Sequence, residues 1–130
     1  MIIIYTDGAS SGNPGPGWAM WVVQKDKKLH RERVKLEYCT NNEAEYLSVL
    51  HALKWLITNH LWHRNEKNIL FKLDSLLVVK QLNGEWKLKD ERMRTYAGEA
   101  HTLAARLEKK VTFTYIPREG NLADELKYEV

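Results

Sequence analysis

The sequence predicts an α/β fold, a mixed sheet with helices on its faces. Three observations point there. The apolar pattern reads β-β-β-α-β-α-α-β-α along the chain. The first three strand candidates are joined by short connections, so an antiparallel meander is the economical arrangement. The fourth follows a long helical connection, which lets it lie parallel to the first.

Taken in order, residues 2–7 ("IIIYTD") form a buried strand, since three isoleucines and a tyrosine precede any breaker. "WAMWVVQ", 18–24, is the second strand and "KDKK" a tight polar turn. From 29 to 38 apolar and charged residues alternate, as in a half-exposed third strand. The period then changes: Thr40, Asn41 and Asn42 are good N-cap types, and a helix runs to about His60. "NILFKLD" is a fourth strand ending on Asp74, and "SLLVVKQLNG" a short helix closed by Asn83 and Gly84. Between Glu91 and Lys109, Met93, Tyr96, Ala97, Ala100, Leu103, Ala104 and Leu107 make a helical stripe. "VTFTYI" is a fifth strand broken by Pro117, and "NLADELKYEV" a short terminal helix.

Composition bounds the function. Apolar residues are 44% and charged residues 28% of 130, which fits a folded domain rather than a disordered chain. No repeat or linker interrupts 1–130, so one domain is expected. The formal charge of +3 permits a polyanionic partner without requiring one. One cysteine, Cys39, excludes an intrachain disulfide and fits a reducing cytoplasm. No apolar run is long enough to span a membrane, and no signal segment is visible. No histidine pairs with Cys39 at a finger-like spacing; His60 and His63 read as surface or capping residues beside Trp62.

The acids carry the chemistry. With strands one and four parallel neighbours, Asp7 and Asp74 emerge together at their carboxyl ends, the edge where open α/β sheets bind ligands. Adjacent carboxylates repel unless a cation or shared proton compensates. At roughly 100° per residue, Glu45 shares the helix face of Val49, Ala52, Leu53 and Leu56, whereas Glu43 falls at its edge and reads as a solvent-facing acid. Asp124 joins the group only if the fifth strand returns beside the fourth. Carboxylates without histidine or thiolate suit Mg²⁺ or Mn²⁺, and such a cluster can hold two ions roughly 4 Å apart for in-line phosphoryl displacement.

The opening "IIIYTDGASSGNPGPG", "TNNEAEY", "LDS" and "NLADEL" together resemble type 1 ribonuclease H, in the family's order and over essentially the whole chain. The resemblance implies a five-stranded mixed sheet, three antiparallel strands then two parallel, flanked by helices. It implies Mg²⁺-dependent endonucleolytic cleavage of the RNA strand of an RNA–DNA hybrid to 5′-phosphate and 3′-hydroxyl ends, by a two-metal-ion mechanism. The family's metal-binding acids fall on Asp7, Glu45, Asp74 and Asp124. On this reading the glycine-rich stretch from Gly8 to Gly17 is a loop lying against the hybrid's minor groove, with Ser10, Ser11 and Asn13 as polar contacts. Thr40, Asn41 and Asn42 double as helix cap and substrate contact.

The chain also departs from the family. The loop before the last acid reads "PREGN" and holds no histidine, leaving Arg118 or Glu119 as auxiliary candidates. The interval from Asn121 to Asp124 is one residue tighter than usual. A basic protrusion is replaced by "GEWKLKDERMR", where Trp86 either stacks on the substrate or covers the core, and Lys87, Lys89, Arg92 and Arg94 can meet phosphates. Without that protrusion or a separate hybrid-binding domain, modest affinity and steep salt sensitivity are expected of a monomer with no obligate protein partner. The rivals are a hybrid-binding module without catalysis, another polynucleotidyl-transfer enzyme of the same fold, and a cluster that binds Mg²⁺ for stability alone.

Overall fold

The computed structural model describes residues 1–128. Its elements are β1 (Ile2–Ser10), β2 (Gly15–Lys25), β3 (Lys28–Cys39), α1 (Asn41–Thr58), β4 (Asn68–Leu73), α2 (Leu76–Leu82), α3 (Glu91–Arg106) and β5 (Lys110–Tyr115). Short 3-10 turns follow α1 and β5, and a 3-10 helix occupies Leu122–Tyr128. The five strands form one sheet in the order β3-β2-β1-β4-β5. β1, β2 and β3 pair antiparallel, while β4 runs parallel to both β1 and β5. The expected mixed sheet is therefore present, with the fifth strand beside the fourth.

Local chemistry sets each boundary. Lys25 pairs with Lys28 across a two-residue turn in which Asp26 takes φ 54°, a left-handed conformation that aspartate tolerates. At the head of α1, the Thr40 hydroxyl accepts the Glu43 N–H and the Glu43 carboxylate accepts the Thr40 N–H, a reciprocal capping box. Ser75 and Asp90 cap α2 and α3. Gly84, at φ 74°, closes α2 as expected.

The two largest clusters of buried apolar residues lie on opposite faces of the sheet. The larger packs Ile4, Val23, Phe71 and Phe113 against Tyr46, Leu50 and Leu53 of α1 and against the Ala97–Ala100–Leu103 stripe of α3. The smaller gathers Tyr5, Met20 and Val22 under Ala123 and Leu126 of the terminal 3-10 helix. Burial of each such aliphatic or aromatic side chain contributes about 1.5–3 kcal/mol.

Three expectations need correction, and one open alternative is decided. The stretch from Gly8 to Gly17 is mostly strand: β1 runs on to Ser10 and β2 starts at Gly15, leaving Ser11–Pro14 as the turn. The terminal element is 3-10 rather than α-helical, and its last two residues, 129 and 130, lie outside the described part. Of the two roles open to His63, surface or capping, the structure has the second: it is buried, with Nε2 2.7 Å from the Leu56 carbonyl in the last turn of α1. Glu43 is only 7% exposed, because α3 crosses that flank of α1: the Tyr96 hydroxyl donates to Glu43 at 3.0 Å and Arg92 stands 3.6 Å away.

Candidate active site

Strand register brings the first two acids together. Thr6 of β1 pairs with Leu73 of β4, so the next residues, Asp7 and Asp74, emerge side by side. The third comes from α1, and Gly8 decides how near that helix can stand. A Cβ on Gly8 would collide with the Ala44 carbonyl, so only glycine lets β1 and the first turns of α1 meet here. The Gly8 N–H lies 2.9 Å from Asp7 Oδ1 and 3.1 Å from Glu45 Oε1, a donor shared by both carboxyls. The Ser48 hydroxyl, one turn further along α1, donates to the Asp7 carbonyl.

Asp7, Glu45 and Asp74 each present an oxygen within 4.8 Å of the other two. Asp7 is 1% exposed. Burial pushes the Glu45 carboxyl well above the usual carboxylate range, and the charge of Asp7 beside it adds to the shift. A hydrogen bond between the Glu45 and Asp7 carboxyls raises it further. Three crowded carboxyls, one of them resisting ionisation, fit a hard divalent cation: the donors are all oxygen, and a cation removes the repulsion.

The remaining predicted residues lie around the acids at different distances. Asn41 and Asn42 line a cavity of about 340 Å³ with the three acids, Gly8, Ser75 and Arg118. A neighbouring groove of about 780 Å³ has Asn13, Thr40, Asn41 and Asn42 on one wall and Trp86, Lys87 and Lys89 on the other. Trp86 is 45% exposed in that groove and is not a cover for the core. Ser10 and Asn13 are engaged internally: the Ser10 hydroxyl donates to Asn41 Oδ1 at 2.7 Å, and Asn13 Oδ1 accepts the Asn41 N–H at 2.9 Å. They hold the turn against the head of α1. Arg118 and Glu119 are exposed on the 3-10 turn after β5, and of the two Arg118 reaches the acid cavity.

Asp124 is not one of the three acids brought together. It sits half-buried in the first turn of the terminal 3-10 helix, its N–H donating to the Asn121 carbonyl at 3.1 Å. Asn121 itself was not singled out from sequence as a site residue. It is buried, with Nδ2 2.9 Å from the Thr6 carbonyl and 3.2 Å from Asp74 Oδ2. The signal that could have found it is a polar residue three positions before an acid, where a 3-10 turn begins.

Comparison with known proteins supplies the family. A family model described as "Reverse transcriptase-like" matches residues 5–126. The crystal structure of RNase H1 from the halophilic archaeon Halobacterium salinarum superposes with a TM-score of 0.85 at 30% identity, covering 96% of this chain and 92% of that one. The chain belongs to the type 1 ribonuclease H family. Its five-stranded mixed sheet, three antiparallel strands and two parallel ones, is the one the family resemblance implied. The LC11-RNase H1 crystal structure, in complex with RNA/DNA hybrid, gives a TM-score of 0.88 at 31% identity over 97% of this chain and 93% of that one. The bifunctional protein Rv2228c of Mycobacterium tuberculosis is 31% identical over 129 residues, 96% of this chain. The chain spans about a third of that relative's length, 34%. Among the described residues, no helix is long and apolar enough to cross a membrane.

Proposed function

We propose that the chain is a metal-dependent ribonuclease H that hydrolyses the RNA strand of RNA–DNA hybrids, leaving 5′-phosphate and 3′-hydroxyl ends. The observation that carries this is the Asp7–Glu45–Asp74 cluster, set at the carboxyl ends of parallel strands in a chain of this family. The similar LC11-RNase H1 is described in complex with RNA/DNA hybrid, which supports the substrate.

Asp7, Glu45 and Asp74 would hold Mg²⁺, or Mn²⁺ in its place, with Asp124 as a fourth acid and two ions present with substrate. Bound ions of this kind supply activated water and stabilise the leaving oxygen of an in-line displacement. The chain's own contribution is placement. The Gly8 N–H fixes one oxygen each of Asp7 and Glu45, so neither carboxyl can swing away. Asn41 and Asn42, at the cavity rim, are positioned to read sugar edges, and the 2′-hydroxyl is the group that separates RNA from DNA. Trp86 offers a stacking surface, and Lys87 and Lys89 offer charge, to the second strand along the adjoining groove. Ser10, Asn13 and Thr40 act one step back, by holding the Asn41 turn. We read residues 1–130 as one catalytic domain working as a monomer.

A panel of end-labelled substrates in Mg²⁺ tests the specificity: RNA–DNA hybrid, single-stranded RNA, double-stranded RNA and duplex DNA. Scission of RNA confined to the hybrid is expected. Equal cleavage of single-stranded RNA would contradict a site that reads a duplex through its groove.

A further inference from the structure

We propose that Asn121 is a positioning residue for the site, acting through Asp74; the inference rests on the metal-dependent reading above. The residue is 3% exposed, and its backbone N–H donates to the Arg118 carbonyl at 3.0 Å. Nδ2 donates to the Thr6 carbonyl at 2.9 Å and to Asp74 Oδ2 at 3.2 Å. Oδ1 accepts the Ala123 N–H at 3.0 Å, and the backbone carbonyl accepts the Asp124 N–H at 3.1 Å.

These bonds meet at one point of the fold. Thr6 precedes Asp7, and Leu73, its register partner, precedes Asp74. One amide thus bridges the two strand ends from which the acids emerge, and its residue also opens the 3-10 helix that carries Asp124. Only a primary amide of this length can give two N–H bonds while accepting a third. A carboxyl with one oxygen tied down loses rotational freedom, which keeps the Asp74 oxygen within reach of Asp7 and Glu45. Outer partners that orient metal ligands in this way commonly change metal affinity by 10–100-fold when removed. The tight interval between Asn121 and Asp124 follows from the same device. A 3-10 turn closes over three residues, the separation of the Asn121 carbonyl and the Asp124 N–H.

The competing role is a purely local cap for the terminal turn, and substitution separates the two. Asn121→Ala removes every side-chain bond. Asn121→Ser keeps a short oxygen able to accept the Ala123 N–H but too short to reach Asp74. The measurement is a Mg²⁺ titration of free protein, followed by thermal unfolding and calorimetry without nucleic acid. Both variants should need about tenfold more Mg²⁺ than wild type for half of the thermal shift. In an Asp74→Ala background, adding Asn121→Ser should leave the residual Mg²⁺ response unchanged. If Asn121→Ala does not fold, Asn121→Ser decides. A Mg²⁺ midpoint in Asn121→Ser equal to wild type, with only the melting temperature lowered, overturns the inference and leaves a cap. Absence of any Mg²⁺ response in wild type overturns the metal reading, and this inference with it.

Discussion

Glu45 holds the sharpest electrostatic conflict in the molecule, and its consequences can be measured without substrate. Burial and the neighbouring Asp7 raise its pKa well above the ordinary 4.5. Between that value and the raised one, the folded chain binds more protons than the unfolded chain. Stability therefore falls as pH rises through this window and recovers as pH drops toward the ordinary carboxylate range. In EDTA, the melting temperature of wild type relative to Glu45→Gln should rise as pH is lowered from about 7 to about 5. Mg²⁺ at neutral pH should narrow the same gap. Parallel profiles for the two proteins would contradict the assignment. At this scale helical phase alone distinguished Glu45 from Glu43, because one faces the sheet. Phase could not foresee that Glu43 is buried too, since that depends on α3 crossing α1 from a distant part of the chain. The Thr40-x-x-Glu43 capping box was nonetheless readable, and it already argued against a freely solvated side chain.

Elements are where sequence and structure diverge most. The α1–α3 contact is braced by the Tyr96 hydroxyl on the Glu43 carboxylate, 3.0 Å apart, with Thr40 and Arg92 on the other oxygen. Burial first, and then this bond, push the Tyr96 phenol up to about 12. Tyr96→Phe deletes one hydrogen bond to a carboxylate, so a loss of about 1.5–3 kcal/mol in urea denaturation is expected. A stability equal to wild type would show that the brace carries no net energy. The terminal element escaped the sequence reading for a related reason. "NLADELKYEV" has the composition of a helix, but within Leu122–Tyr128 the Asn121 side chain and the sheet beneath Ala123 and Leu126 accompany a 3-10 turn. The glycine-rich stretch gave the opposite difficulty. Its glycines suggested a surface loop, whereas Gly8 answers to the close approach of α1, a contact no local pattern reveals.

For the whole molecule, the class of fold was legible because each strand and helix announces its own period, and short connections fix β1–β2–β3. The place of β5 was not, since a parallel neighbour is chosen by the packing of α2 and α3 and not by any hairpin. Once β5 lies beside β4, the terminal turn returns toward the acids, where Asn121 meets Asp74; the groove bounded by Trp86 shares Asn41 and Asn42 with the acid cavity. On the proposed function, this architecture turns three crowded carboxyls into a nuclease for RNA–DNA hybrids. The most direct test follows one end-labelled RNA strand annealed to DNA, incubated with wild type or Asp7→Asn, in Mg²⁺ or in EDTA. Cleavage of that strand by wild type in Mg²⁺ only, and none by Asp7→Asn, is the expected result. Cleavage that persists in Asp7→Asn or in EDTA, or hybrid binding without any cleavage by wild type, would contradict it.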